Sequence, residues 1–154
     1  DENVKVAVRC RPFNKREKGL GSKSIVEIEG PMTRLLNPVG DPHEFTFDFS
    51  YDDSVSQDKV YEDLGAPILE KALSGFNATI FAYGQTGSGK TWSMMGDDAT
   101  PREFPGIIPR LNTSLFDAIA ARKESDTENA FLVSVSFLEI YNEVIKDLLN
   151  PSDK

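Results

Sequence analysis

The stretch ATIFAYGQTGSGKTWSMMG, Ala78 to Gly96, passes from an apolar run into glycine-rich sequence and back to large apolar residues. Its centre, GQTGSGKT from Gly84 to Thr91, matches the pattern G-x-x-x-x-G-K-[ST] without a mismatch. The apolar run before it predicts a buried strand, and TWSMM after it predicts the first turns of a helix. A strand before and a helix after favour a phosphate-binding loop over an ordinary glycine-rich turn.

The residue types of this loop suit a nucleotide. Glycines permit backbone angles closed to other residues and bring no Cβ against a ligand, so successive N–H groups can turn inward as a nest for phosphates. The helix that begins near Gly89 adds its positive end. We expect Lys90 to reach the β- and γ-phosphates and the Thr91 hydroxyl to ligate Mg²⁺. The candidate nucleotide-binding residues of the loop are Gly84, Gln85, Thr86, Gly87, Ser88, Gly89, Lys90 and Thr91.

Hydrolysis requires more than this loop, because an acid must lie near the metal and other groups must position the attacking water. The one candidate acid is Glu139, which follows the apolar run FLVSVSFL. Its position fits equally well a strand-end residue in a hydrogen bond or salt bridge. From its residues the chain is therefore predicted to bind a nucleoside triphosphate with Mg²⁺, and no catalytic residue is assigned within it.

The composition limits the classes to which this protein can belong. A chain of 154 residues with 39% hydrophobic and 27% charged residues is typical of one globular domain. The net charge of −8 argues against a nucleic-acid partner. No apolar run is long enough to cross a membrane, and no charged-then-apolar leader is seen. The single cysteine, Cys10, is predicted to be a small buried hydrophobe, and the cluster Lys15, Arg16 and Lys18 a solvated loop.

The apolar patterning predicts strands alternating with helices, hence an α/β fold. Strands are predicted in NVKVAVRCRP, in EFTFDFSY, in NATIFAY and along AFLVSVSFLEIYNE, the last leading through a turn to VIKDLL. Two small strands or a hairpin are predicted between Phe13 and Pro42. A helix capped by Ser54 or Ser56 should end at Gly75, with a kink or register shift at Pro67. A second helix should begin in TWSMM, break at GDDATPREFPG and resume from Ile107.

Several longer segments, in this order, resemble the kinesin motor domain over nearly the whole chain: VAVRCRPFN, FTFDFSYDDSVSQDKVYEDLG, FNATIFAYGQTGSGKTWSMMG, GIIPRL and SVSFLEIYNEVIKDLL. The details are most similar to kinesin-3-type motors. The resemblance implies a P-loop NTPase-type fold, with a central mixed sheet flanked by helices. It also implies an ATP-driven motor that moves along microtubules on the cytoplasmic cytoskeleton.

The resemblance also implies roles for residues outside the loop. Arg9, Arg11 and Pro12 match the family's Arg-x-Arg-Pro element, which lines the adenine pocket, and Tyr83 would lie beside the base. From the residues alone, Arg9 and Arg11 would instead be a strand-end pair that faces solvent. Glu139 would belong to a sheet strand and not to the metal site.

The family's switch I and switch II motifs, resembling N-x-x-S-S-R-S-H and D-x-x-G-S-E, do not occur in residues 1–154. The only histidine, His43, has flanks unlike switch I and is predicted to lie in a surface loop. The chain is therefore expected to be the N-terminal half of a motor domain, an incomplete sheet without most of the tubulin-contacting surface. The parent would be a microtubule-stimulated ATPase, and the isolated chain is expected to be inactive. The alternatives are a small P-loop phosphotransferase, or a non-catalytic fragment that acts only as a nucleotide-binding or interaction module.

An incomplete sheet would expose an edge and an apolar face. We therefore expect the isolated chain to be marginally stable, to self-associate through that edge, or to need the remainder of the domain. Sedimentation velocity over a concentration series, with urea unfolding, tests this expectation. A monodisperse monomer that unfolds cooperatively at low concentration would contradict it.

Overall fold

The computed structural model describes residues 4–97, 99–100, 102–125 and 130–150. The chain divides into two compact units, 1–115 and 116–154. The described strands form three separate sheets, with both parallel and antiparallel pairing. The predicted mixed α/β class is confirmed. Within the described residues, no helix is both long enough and apolar enough to span a bilayer.

A parallel strand pair carries the first arginines of the chain. Strand β1 (Ala7–Arg9) pairs with β5 (Phe49–Tyr51), with Val8 opposite Ser50. The pairing continues past β1, because the N–H of Cys10 donates to the Tyr51 carbonyl at 2.8 Å. The strand predicted in residues 3–12 is thus confirmed over its central part. Cys10 itself is half-buried, and desolvation raises the pKa of its thiol.

The segment EFTFDFSY forms two strands, so the prediction of one strand is wrong. Strand β4 (His43–Thr46) ends before Asp48, and β5 begins after it. The Asp48 carboxylate accepts hydrogen bonds from the Lys5 ammonium and the Val6 N–H, both at 2.8 Å, and the first of these is the largest cause of the lowered pKa of Asp48. This side-chain contact marks the point where the chain leaves one sheet and joins another.

The other sheet of the first unit is an antiparallel three-stranded one. It consists of β2 (Val26–Glu29), β3 (Met32–Leu35) and β4, in that order. The hairpin predicted between Phe13 and Pro42 is confirmed. His43 is exposed as predicted, but it begins strand β4 instead of lying in a loop.

The short basic cluster is helical, against the prediction of a loop. Helix α1 (Lys15–Gly19) begins with a capping box, in which the Asn14 side chain accepts the Glu17 N–H at 2.9 Å and the Glu17 carboxylate accepts the Asn14 N–H at 2.8 Å. Both bonds satisfy N–H groups that a helix start leaves unpaired, so they stabilise even a short helix.

The next helical segment changes its hydrogen-bond register in the middle, as predicted. Helix α2 (Gln57–Val60) is capped by Ser56, passes into a π-helical turn (Tyr61–Gly65) and continues as α3 (Ala66–Leu73). Pro67 lies in the first turn of α3, where its missing N–H costs little. The segment ends at Gly75, whose φ of 92° is left-handed.

The predicted buried strand before the glycine-rich loop is not formed. Residues 76–84 pair with none of the described strands, and the side chains of Phe81 and Tyr83 are 82% and 90% exposed. A parallel strand becomes buried only when strands and helices cover both its edges and faces. The described residues supply no such cover here.

Two helices follow the glycine-rich loop, and the predicted break between them is confirmed. Helix α4 (Lys90–Met94) and helix α5 (Ile107–Ser125) are joined by a second loop, which is closed at its base by a bridge between Gly96 and Pro105. A Cβ at Gly96 would overlap the Phe104 carbonyl oxygen, so only glycine fits this closure.

The core of the first unit gathers Tyr51, Val60 and Ile107 from β5, α2 and α5. The Tyr51 hydroxyl donates to Asp63 at 3.0 Å, and desolvation raises the pKa of Tyr51. The hydroxyl therefore has a partner inside the apolar cluster, as a buried polar group requires.

The second unit contains a hairpin of β6 (Leu138–Tyr141) and β7 (Val144–Asp147). Asn142 and Glu143, at its turn, have φ of 50° and 63°, the signs of a tight two-residue hairpin turn. The predicted second strand is confirmed. The predicted long strand is wrong for residues 131–136, which carry no strand hydrogen bonds in the described chain. The Phe137 carbonyl accepts the Leu148 N–H at 2.8 Å, so the pairing of β6 with β7 extends one residue beyond β6.

Ile107→Ala should lower the free energy of unfolding by about 3 kcal/mol, because Ile107 is 4% exposed and its truncation leaves a cavity in the core. The neighbouring Ile108→Ala is the matched control, since Ile108 is 37% exposed. Its effect should stay within about 1 kcal/mol. Urea unfolding followed by circular dichroism measures both, and equal effects would contradict the assignment of Ile107 to the core.

Candidate functional site

The glycine-rich loop Gly84–Thr91 has left-handed backbone angles at its critical positions. Gly87 and Gly89 have φ of 78° and 98°, which residues with a Cβ rarely adopt. The Ser88 N–H donates to the Gln85 carbonyl at 3.1 Å, which closes a tight turn. Gly89 is the residue immediately before α4. The predicted loop-to-helix transition is therefore formed.

Lys90 begins α4, and its ammonium group returns to the start of the loop. Its Nζ donates to the carbonyls of Gly84 and Gln85 at 2.7 and 2.9 Å. These two bonds span the loop from its last residues to its first. The Lys90 ammonium is thus held over the loop by two backbone carbonyls.

Thr91 follows on the same helix and is exposed. Among the described residues, no group of three or more histidine, cysteine or acidic side chains is arranged to hold a metal ion. Mg²⁺ at a nucleotide takes most of its ligands from phosphates and waters, with few from protein. A single exposed hydroxyl next to Lys90 therefore fits the protein share of such a site.

Arg11 connects the loop to α1. Its Nε donates to the Gly87 carbonyl at 2.8 Å, while Nη1 and Nη2 bind both carboxylate oxygens of Glu17 at 2.8 and 2.7 Å. The expectation from the residues alone, a side chain directed to solvent, is wrong for Arg11. The bond from Arg11, followed by the backbone bond from Asn14, lowers the pKa of Glu17 to about 2.

Arg9 is half-buried and reaches towards α4. Its Nη1 donates to the Gln57 Oε1 at 2.6 Å and to the Ser93 Oγ at 3.1 Å, and Nη2 donates to the Val55 carbonyl at 3.2 Å. Desolvation by burial lowers the pKa of Arg9. The solvent-facing expectation is wrong for this arginine also.

The remaining predicted adenine-site residues, Pro12 and Tyr83, are both exposed. Pro12 follows Arg11 directly, and Tyr83 precedes Gly84, so both adjoin the loop in sequence. Glu139 lies on β6 opposite Lys146 and is exposed, so it occupies a strand as the resemblance implied. Its role as a metal acid gains no support.

Glu17, Gln57 and Ser93 contact the site arginines but were not predicted to do so. For Glu17 the sequence held a signal, because Asn14 and Glu17 have the spacing of a capping box. Gln57 and Ser93 carry no such signal, since their contacts join residues 48 and 84 positions apart in the sequence.

Comparison with known proteins shows the family to which the chain belongs. The kinesin motor domain model matches residues 9–154. The chain belongs to the kinesin motor domain family. Kinesin-like protein KIF13B of Homo sapiens is 45% identical over 98% of the chain, and Klp98A of Drosophila melanogaster is 46% identical over 96%. KIF13A of Mus musculus is 47% identical over 98% of the chain. These relatives include kinesin-3 members, which agrees with the predicted kinesin-3-type resemblance.

A solved structure of the family has the same fold. It is described as "KIF14[391-755] - ADP in complex with a microtubule", is 41% identical and superposes with a TM-score of 0.76. The match covers 96% of this chain and 41% of the KIF14 chain. The chain spans 9% of the length of KIF13B and 12% of that of Klp98A. It thus corresponds to a small part of these kinesins.

The pKa of Glu17 predicts a pH effect on stability. Its ordinary value of 4.5 falls to about 2 in the folded chain. The folded state therefore holds this carboxylate ionised more readily than the unfolded state does. The stabilisation that Glu17 contributes is complete above pH 4.5 and is lost as the pH falls towards about 2. Glu17→Gln should flatten the fall of stability between these two pH values, measured by urea unfolding at several pH values. An unchanged slope would show that the pair with Arg11 does not persist in solution.

Proposed function

We propose that this chain is the ATP- and ADP-binding part of a microtubule-based motor. The observation that carries the proposal is the loop Gly84–Thr91, with its left-handed glycines and the Lys90 ammonium held beside its carbonyls. Membership of the kinesin motor domain family supports it, as does a related structure described with ADP and a microtubule.

In this proposal the loop binds the phosphates through backbone N–H groups from Gln85 to Thr91. Lys90 exchanges its contacts with the Gly84 and Gln85 carbonyls for phosphate oxygens, because an ammonium binds an anion more strongly than a neutral carbonyl. Thr91 would hold Mg²⁺, which neutralises phosphate charge when bound.

The adenine side is assigned to Arg9, Arg11, Pro12 and Tyr83. The exposed ring of Tyr83 offers a flat apolar face next to the first residue of the loop. Arg11 supports the same region because its Nε binds the Gly87 carbonyl. The base would therefore lie at the edge of the loop.

The whole motor's activity includes steps for which this chain carries no assigned residue. Microtubule-stimulated ATP hydrolysis and movement are proposed for the protein that contains the chain, which would act on the cytoplasmic cytoskeleton with tubulin as its partner. By itself the chain is proposed to bind nucleotide without hydrolysing it. A phosphotransferase would require a second substrate site and a metal acid, and neither is assigned among the described residues.

Self-association of the isolated chain is proposed as well. Leu132 and Val135, in the second unit, are 92% and 78% exposed. Both residues precede β6, whose one strand partner in the described sheet is β7, and exposed apolar side chains beside an open sheet edge favour pairing with another chain. This contact would compete with the rest of a motor domain for the same surface.

A fluorescent ADP analogue titrated with Mg²⁺ tests nucleotide binding directly. Lys90→Ala should weaken binding at least roughly tenfold, because charge-assisted hydrogen bonds to phosphate are lost. Lys71→Ala is the matched control, since Lys71 is an exposed lysine of α3 with the same charge. Saturable binding by the chain and the control, lost in Lys90→Ala, is expected. Equal binding by all three proteins, or by none, would overturn the proposal.

A further inference from the structure

Gln57 is a buried polar side chain that joins three elements of the first unit. It begins α2 and is 6% exposed. Its Oε1 accepts the Arg9 Nη1 of β1 at 2.6 Å, and its Nε2 donates to the Trp92 carbonyl of α4 at 2.6 Å. One amide therefore acts as acceptor on one side and as donor on the other.

The Trp92 carbonyl needs this donor because of the way α4 ends. The last carbonyls of a helix have no partner within it. Here the N–H groups of Met95 and Gly96 both donate to the Thr91 carbonyl, at 2.7 and 3.2 Å, so the Gly96 N–H does not donate to the Trp92 carbonyl. The Gln57 Nε2 donates to the Trp92 carbonyl instead, and the Gln57 side chain therefore caps the end of α4.

Arg9 strengthens the link to α4. Its hydrogen-bond partners are neutral: the Gln57 amide, the Ser93 hydroxyl and the Val55 carbonyl. Among the ion pairs of the described chain, none involves Arg9. A half-buried cation without a carboxylate depends strongly on well-placed neutral acceptors. Two of its bonds, directly to Ser93 and through Gln57 to Trp92, therefore hold α4.

We propose that Gln57 is a positioning residue for the phosphate site. By fixing the end of α4 it sets the orientation of the helix that carries Lys90 and Thr91. This inference rests on the proposed function, and it concerns how that site is held in a binding geometry. Because α4 has five residues, a small tilt at its end moves its first turn as well.

A purely stabilising role for Gln57 is the alternative, and two substitutions separate it from positioning. Gln57→Leu removes both bonds. Gln57→Glu keeps the shape and the acceptor for Arg9, now with a charge, but it replaces the donor to Trp92 with an oxygen. If Gln57 only stabilises Arg9, the glutamate restores wild-type behaviour. If it positions α4, the glutamate fails as the leucine does.

Asp58→Asn is the matched control. Asp58 is the next residue on α2 and binds Arg110 of α5, and its hydrogen bonds in the described structure do not involve α4. This control changes charge and an interhelical contact on the same turn of α2 while leaving the Gln57 amide in place.

The experiment measures two quantities for each protein: the Kd of the fluorescent ADP analogue with Mg²⁺, and the emission of Trp92. Trp92 is the only tryptophan of the chain, and its ring packs on Phe104 with 5.8 Å between centroids. Its emission therefore reports on α4 without nucleotide. Thermal unfolding verifies that each variant is folded.

We expect the two Gln57 variants to bind roughly tenfold more weakly than wild type. Their Trp92 emission should shift to longer wavelength, and Gln57→Glu should keep a near-normal melting temperature. Asp58→Asn should bind as wild type does. Wild-type affinity and emission in Gln57→Glu would overturn the inference while leaving the proposed function intact. Failure of wild type itself to bind would overturn the proposed function and, with it, this inference.

Discussion

Arg9 places a positive charge in a half-buried position where its hydrogen-bond partners are all neutral. Such a charge must be surrounded by acceptors at short distance, or its desolvation is not offset. The acceptors come from α2, from the segment before it and from α4, so this one requirement orients three parts of the first unit. The parallel pairing of β1 with β5 supplies the fixed end from which Arg9 projects.

Arg11 imposes a second constraint from the same end of β1. It binds Glu17 with two bonds and the loop carbonyl of Gly87 with a third. A planar guanidinium suits this arrangement, because its donors lie in fixed directions that match a carboxylate. Arg11 thus contacts the loop itself at Gly87, whereas Arg9 contacts Ser93 on α4, beyond Lys90. In a kinesin motor domain this ties the candidate adenine side to the candidate phosphate side.

The conformation of the glycine-rich loop depends partly on local sequence and partly on contacts with distant residues. Backbone geometry alone requires its glycines, since the angles at Gly87 and Gly89 exclude most other residues. Lys90 was expected to face a phosphate, and its bonds to the Gly84 and Gln85 carbonyls keep the ammonium beside the loop. The capping box at Asn14 and Glu17 was readable in the same way, although the basic residues between them favoured a loop interpretation.

The sequence by itself determined the features that depend on neighbouring residues: the glycine-rich loop before α4, the register shift at Pro67, the hairpin of β2 and β3, and the long helix from Ile107. Each follows from torsion angles, missing N–H groups or apolar spacing within one segment. Only the tertiary structure decided that EFTFDFSY divides at Asp48 between two sheets, and that residues 76–84 and 131–136 have no strand partners among the described residues. It alone brought Gln57 and Ser93 to Arg9. Strand pairing and buried polar contacts depend on residues far apart in the chain, and apolar alternation shows that a segment can form a strand but not which neighbour it will find.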